Sequence, residues 1–97
     1  MLFALIYTDK PGSLSLRQAT RPAHLDYLRA REAAVQFGGP LLDPDGNPCG
    51  SLLIVEAADR AAAEAIAAGD PYVKAGLFES TVIRPIRQVA RDGKLAG

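Results

Sequence analysis

An α+β sandwich, with two helices covering one face of a four-stranded antiparallel sheet, is predicted by three features of this sequence. Apolar runs of strand length stand at Leu2–Tyr7, Ser51–Glu56 and Phe78–Ile86, with a weaker one at Pro40–Leu42. Two stretches with helical patterning lie between them, and clusters of Pro, Gly, Asp and Asn mark the joints. The resulting order, β-α-β-β-α-β, is that of a ferredoxin-like sandwich. Ninety-seven residues support one core, so a single domain is expected over 1–97.

Each element has its own justification. Leu2-Phe3-Ala4-Leu5-Ile6-Tyr7 is too short for a helix and suits a strand buried on both faces. Asp9-Lys10-Pro11-Gly12-Ser13 ends it, and residues 8–19 read as a loop. Pro22 fits the first turn of a helix, with Thr20 or Arg21 in the capping region, and Gly38-Gly39 stops that helix after about Gln36. At 100° per residue, His24, Leu28, Arg31 and Val35 share one face, flanked by Leu25 and Tyr27. Pro40–Leu42 and Ser51–Glu56 form a hairpin around Asp45-Gly46. Arg60–Ala68 is a helix that Asp59 can cap and Gly69 can close. Asp70-Pro71 opens a short turn through Lys74, and Phe78–Ile86 is the last strand, with Pro85 tolerated near its end on a sheet edge. Residues 87–97 read as a mobile tail.

Strands one and three are apolar on both faces, whereas the helices can bury only one. The uncovered face would leave a patch larger than a monomer normally tolerates, so a homodimer joined through the open sheet faces is expected.

Composition excludes several classes of function. Eleven basic and eleven acidic residues balance to zero net charge, which denies nucleic acid the basic field it needs. No apolar run approaches the roughly 18 residues of a membrane span, and no basic stretch precedes the first strand. A single cysteine, Cys49, rules out an internal disulfide. One His and one Cys cannot make a conventional zinc site within the chain. No cofactor motif is present, so no cofactor is expected. The expectation is a cytoplasmic protein without nucleic-acid or membrane partners.

The candidate chemistry centres on His24, the only histidine, on the buried side of its helix. Gly69-Asp70-Pro71-Tyr72 has the pattern of a helix start that leaves a carboxylate free to meet it. A buried histidine with a carboxylate partner is a proton-transfer device near neutral pH. The plainer readings are a core histidine and an N-cap aspartate, and a carboxylate with two oxygens can cap and orient at once. Arg21, one turn before His24, is a candidate for holding a substrate carboxylate, with a solvated surface arginine as the equal alternative. Tyr72 and Phe78 are candidate substrate contacts, with core packing as the commoner role for aromatics.

The chain resembles the YciI-like (YCII-related) family along nearly its whole length. The resemblance is carried by Arg21-Pro22-Ala23-His24-Leu25 with Tyr27-Leu28, by Gly39-Pro40-Leu41, by Gly50-Ser51-Leu52-Leu53-Ile54-Val55, and by Asp70 through Phe78. It implies a ferredoxin-like fold related to the dimeric α/β-barrel proteins. It also implies a His–Asp pair that falls on His24 and Asp70. Family members with an assigned reaction look like lyases or dehydrohalogenases acting on small ring compounds. Arg31 departs from the family pattern, where an apolar residue is commoner; it either adapts the pocket to an anion or extends out to solvent. Two functions follow as expectations. One is a cofactor-free acid–base enzyme of lyase, dehydrohalogenase or isomerase type, acting on a small organic ligand, anionic or cyclic. The other is a non-catalytic ligand-binding or accessory module.

Overall fold

The computed structural model describes residues 1–95. Its main sheet has four antiparallel strands in the spatial order β2-β3-β1-β4. These are β1 (Leu2–Asp9), β2 (Val35–Leu42), β3 (Pro48–Glu56) and β4 (Phe78–Ile86). Helix α1 (Leu14–Arg29) connects β1 to β2, and α2 (Arg60–Gly69) with the single turn α3 (Pro71–Lys74) connects β3 to β4. The predicted ferredoxin-like α+β order is the one observed.

Strand alternation decides which residues meet the helices. Phe3, Leu5 and Tyr7 of β1 pair with Val55, Leu53 and Ser51 of β3, and all six are buried. Ala63 and Ala67 of α2 are also buried, and their small side chains let the helix settle close to this face. Asp59 caps α2 by accepting a hydrogen bond from Ala62 N at 2.8 Å, as its place before an alanine-rich run suggests. The opposite face carries Leu2, Ile6, Leu52, Ile54, Val82 and Ile86, all partly or fully exposed. The two-sided apolar pattern of β1 and β3 therefore maps onto a covered and an uncovered sheet face.

Three boundaries differ from expectation. Helix α1 begins at Leu14, so Pro22 lies in its interior and residues 14–19 are helix rather than loop. An interior proline costs on the order of 3 kcal/mol; here the helix is tied down on either side of it, by Arg17 and His24, its two buried residues. The same helix ends at Arg29, and the chain turns through residues 30–34 into β2, which takes in Val35 and both glycines 38 and 39. A β-carbon on Gly38 would collide with Leu53 Cδ2 and crowd Leu52 O, so the strand can approach β3 there only as glycine. Residues 90–91 and 94–95 pair as β5 (Ala90–Arg91) and β6 (Lys94–Leu95), a small hairpin where a tail was expected. The last two residues of that expected tail lie outside the described ones.

Candidate active site

Four elements converge on one end of the space between α1 and the sheet. Helix α1 supplies Arg17, Arg21 and His24; Tyr7 and Asp9 come from β1 and Ser51 from β3; Asp70 and Tyr72 come from the start of α3. Arg17 and His24 are seven positions apart, two helical turns, and so project from the same side of α1. Tyr27, on the next turn, donates its hydroxyl to Ile66 O at 2.7 Å and lies flush on Gly69, where any β-carbon would strike its ring. That contact sets the distance between α1 and the end of α2, immediately before Asp70.

Asp70 is 1% exposed and His24 7%. His24 Nδ1 lies 2.9 Å from Asp70 Oδ1 and 3.0 Å from Oδ2. A nitrogen held between two carboxylate oxygens must carry the hydrogen, so the neutral imidazole is fixed as the Nδ1–H tautomer. Nε2 is then the basic atom, and it has no protein partner among the described residues. Asp70 Oδ1 also accepts from Tyr72 N at 2.9 Å, so one carboxylate both caps α3 and orients the imidazole.

The imidazole is held on its flat side as well. Its ring stacks on Tyr72, with centroids 4.0 Å apart and planes inclined by 21°. Tyr72 meets Phe78 edge-on at 5.9 Å, and Phe78 stacks on Tyr7 at 4.3 Å. A continuous aromatic ladder thus runs from the core to the histidine. Burial raises the pKa of the Tyr72 phenol, and the positive charges of Arg17 and Arg21 oppose that shift. Burial, with a smaller contribution from the Asp70 charge, pushes the Tyr7 phenol far up, and its hydroxyl is buried without a hydrogen-bond partner among the described residues.

A second polar group sits beside this ladder. Arg17 Nε and Nη2 donate to the two oxygens of Asp9 at 2.7 and 2.9 Å, and Nη2 also donates to Ser51 Oγ at 2.9 Å. Its guanidinium carbon lies 4.7 Å from the centre of the Tyr72 ring. Burial works against the Arg17 charge, but the hydrogen bonds and charge of Asp9 outweigh it, and the pKa is raised overall.

Between these groups lies a cavity of about 280 Å³. Its lining combines the polar Arg17, Arg21, His24, Ser51 and Tyr72 with Leu25, Leu28, Val35, Leu53 and Gly38-Gly39-Pro40. Of the expected site residues, the structure brings His24, Asp70, Arg21 and Tyr72 together. Phe78 supports Tyr7 and Tyr72 from behind and does not reach the cavity. Arg31 also lies away from it. It falls beyond the end of α1, exposed, with its guanidinium carbon 3.7 Å above the Tyr27 ring. Arg17 and Asp9 were missed because residues 8–19 read as loop, and Ser51 because it read only as the first residue of a strand. The signal that locates Arg17 is its two-turn spacing from His24.

The geometry has relatives of known identity. Residues 1–87 match the model of the YCII-related domain. Protein YciI of Escherichia coli is 36% identical over 97 residues, covering 92% of this chain and 99% of that protein. A solved structure of 5-chloro-2-hydroxyhydroquinone dehydrochlorinase, TftG, from Burkholderia phenoliruptrix, in complex with 2,5-dihydroxybenzoquinone, is 38% identical with a TM-score of 0.84, covering 91% of this chain and 95% of that chain. An antibiotic biosynthesis monooxygenase shares the fold alone, at 17% identity and a TM-score of 0.54 over 90% of this chain and 99% of its own. By sequence and by structure, this chain belongs to the YCII-related family.

Proposed function

We propose that this protein is an acid–base lyase acting on small hydroxylated rings, with dehydrohalogenation as its reaction type, His24 as the proton carrier and Asp70 as the group that orients it. The observation that carries this reading is the fixed His24–Asp70 pair, at 2.9 Å, on the wall of a ligand-sized cavity. A cavity of about 150 Å³ accommodates benzene, so about 280 Å³ accommodates a ring with several substituents. The dehydrochlorinase relative acts on a ring of that kind.

Loss of HCl from a chlorinated trihydroxybenzene needs only proton movement. Nε2 takes a hydroxyl proton and returns it to the halogen-bearing ring carbon, giving the keto tautomer. A second hydroxyl proton then passes to Nε2 as the C–Cl bond breaks and chloride leaves. The product is a hydroxyquinone, the two electrons that complete it come from within the substrate, and no external oxidant enters. Asp70 holds the imidazole through both transfers and balances the imidazolium that each one creates. The expected assay is chloride release from 5-chloro-2-hydroxyhydroquinone under anaerobic conditions. His24→Ala should slow it by about 10²–10⁴; equal rates in the two proteins, or none in the wild type, would remove this reading.

The working unit in this reading is a homodimer. The uncovered face bearing Leu2, Ile6, Leu52, Ile54, Val82 and Ile86, with Phe37 67% exposed beside it, is the surface that supports it. A standard interface of about 1,600 Å² persists at micromolar concentration. Sedimentation as a monomer at high micromolar concentration contradicts it.

A further inference from the structure

We infer that the Arg17 end of the cavity is an anion receptor, and that the ring this protein binds presents an ionised oxygen there, as a phenolate or enolate. The inference rests on reading the cavity as a substrate site and names which form of substrate it selects. Arg17 is 4% exposed, so its guanidinium reaches outside molecules only through the cavity it lines. Nε and Nη2 are committed to Asp9 and Ser51, Nη1 makes no hydrogen bond to Asp9 or Ser51, and the Tyr72 phenol is the one further polar group that acts on the guanidinium among the described residues. Among the described residues, the only side-chain atom both sealed off and without a partner is the Tyr7 hydroxyl oxygen. Nη1 is therefore accessible, and a ligand oxygen can meet it beside the Tyr72 phenol.

Arg21 lines the same cavity and acts on the Tyr72 phenol along with Arg17. Two cations and a phenol thus converge, while the one carboxylate bound to Arg17, Asp9, is not part of the cavity lining. The rest of the lining is largely apolar. A flat molecule with a single charged edge satisfies both: its oxygen anion meets Arg17 and Arg21, and its ring lies against Leu28, Val35 and Leu53. Asp9 serves here as a positioning residue, locking the guanidinium fork in place before the ligand arrives.

The test compares two ring ligands by calorimetry. 2,5-Dihydroxybenzoquinone is a vinylogous acid that ionises readily, and hydroquinone is neutral at the same pH. The wild type should bind the anion at least about tenfold more tightly, the worth of one hydrogen bond to a charged group. The double variant Asp9→Asn/Arg17→Gln removes both buried charges together. It should lose about that tenfold preference while its affinity for hydroquinone stays within about twofold. Equal affinities in the wild type, or an unchanged preference in the double variant, overturn the inference even if turnover is observed. A lost preference in the double variant sustains it even if no chlorinated ring is turned over. Should the double variant fail to fold, the Arg17 Nε–H resonance of the wild type decides. A shift with 2,5-dihydroxybenzoquinone and none with hydroquinone supports the receptor, and no shift with either refutes it.

Discussion

Replacing Asp70 by Asn separates the two roles of that carboxylate, because the amide can repeat only one of them. Its oxygen can accept from Tyr72 N as Oδ1 now does at 2.9 Å, so the cap on α3 survives. The other terminal atom becomes an NH₂ group at the Oδ2 position, 3.0 Å from His24 Nδ1. Two donors then meet there, and the only acceptor left to Nδ1–H is the amide oxygen that Tyr72 N already uses, which disfavours the Nδ1–H tautomer. The imidazole responds by moving its hydrogen to Nε2, which turns the atom facing the cavity from an acceptor into a donor. A hydrogen bond to a charged partner, worth about 1.5–3 kcal/mol, becomes a neutral one of about 0.5–1.5 kcal/mol, so stability should fall by about 1 kcal/mol. Turnover should fall by about 10²–10⁴, since the base is present in the wrong tautomer. The assay pairs chloride release with ¹⁵N chemical shifts of the His24 ring. Unchanged turnover together with a switch to the Nε2–H tautomer would refute the role assigned to Nε2. A loss of several kcal/mol would show that the cap had failed, contrary to the geometry above.

Three further outcomes are expected. Tyr7→Phe deletes a buried hydroxyl without a partner; the urea midpoint should rise, by a stability gain of about 1–3 kcal/mol, and a decrease would mean the hydroxyl is hydrogen-bonded in solution. Arg17→Met leaves Asp9 as a buried, unpaired carboxylate; it should cost about 3–5 kcal/mol, far more than the paired Asp9→Asn/Arg17→Gln change, and similar losses in both would argue against a coupled ion pair. Burial raises the pKa of all three phenols, Tyr7, Tyr27 and Tyr72. Because the folded values lie above the unfolded ones, this contribution to stability is full below about pH 10, where free phenols ionise, and declines as pH rises further. Phenolate absorbance should therefore emerge only as the protein unfolds in alkali; its appearance near pH 10 in the folded protein is the contrary result.

The sheet was legible because its strands announce themselves by apolar runs, and β1, β3 and β4 stand where those runs are. Asp59 and Asp70 were equally readable, since an aspartate ahead of a helical stretch has a direct local cause. Helix α1 was harder. Pro22 is strongest as a first-turn residue, and local preference could not register the distant Asp9 and Asp70 that hold the helix together around it. The same helical pattern, prolonged through Val35, carried Arg31 onto a face that does not exist, because a register that fits 3.6 residues per turn says nothing of where the chain stops turning. Gly38 and Gly39 read as breakers for a good local reason. The place of Gly38 in a strand comes with the close approach of Leu53, a contact across the sheet, while Gly39 has open space at its β-carbon position. His24 and Asp70 were singled out from residue type and family likeness, but their meeting is a tertiary fact, as is the whole of the Arg17 cluster.

Helix α1 is seated on the sheet in an unusual way. Its two buried residues are Arg17 and His24, and where an amphipathic helix would normally press an apolar stripe onto strands, this one stands over an open space lined by Leu25, Leu28, Val35 and Leu53. The protein in effect has a core with one piece left out, spanned by two polar struts. A ring of suitable shape would complete that core as it binds, so the ligand becomes part of the fold and shares in its cohesion. By mass action, a ligand at one hundred times its dissociation constant adds about 2.7 kcal/mol to stability. Occupancy should be felt first in α1, whose motions at rest are limited by its struts and, once filled, by packing along its length.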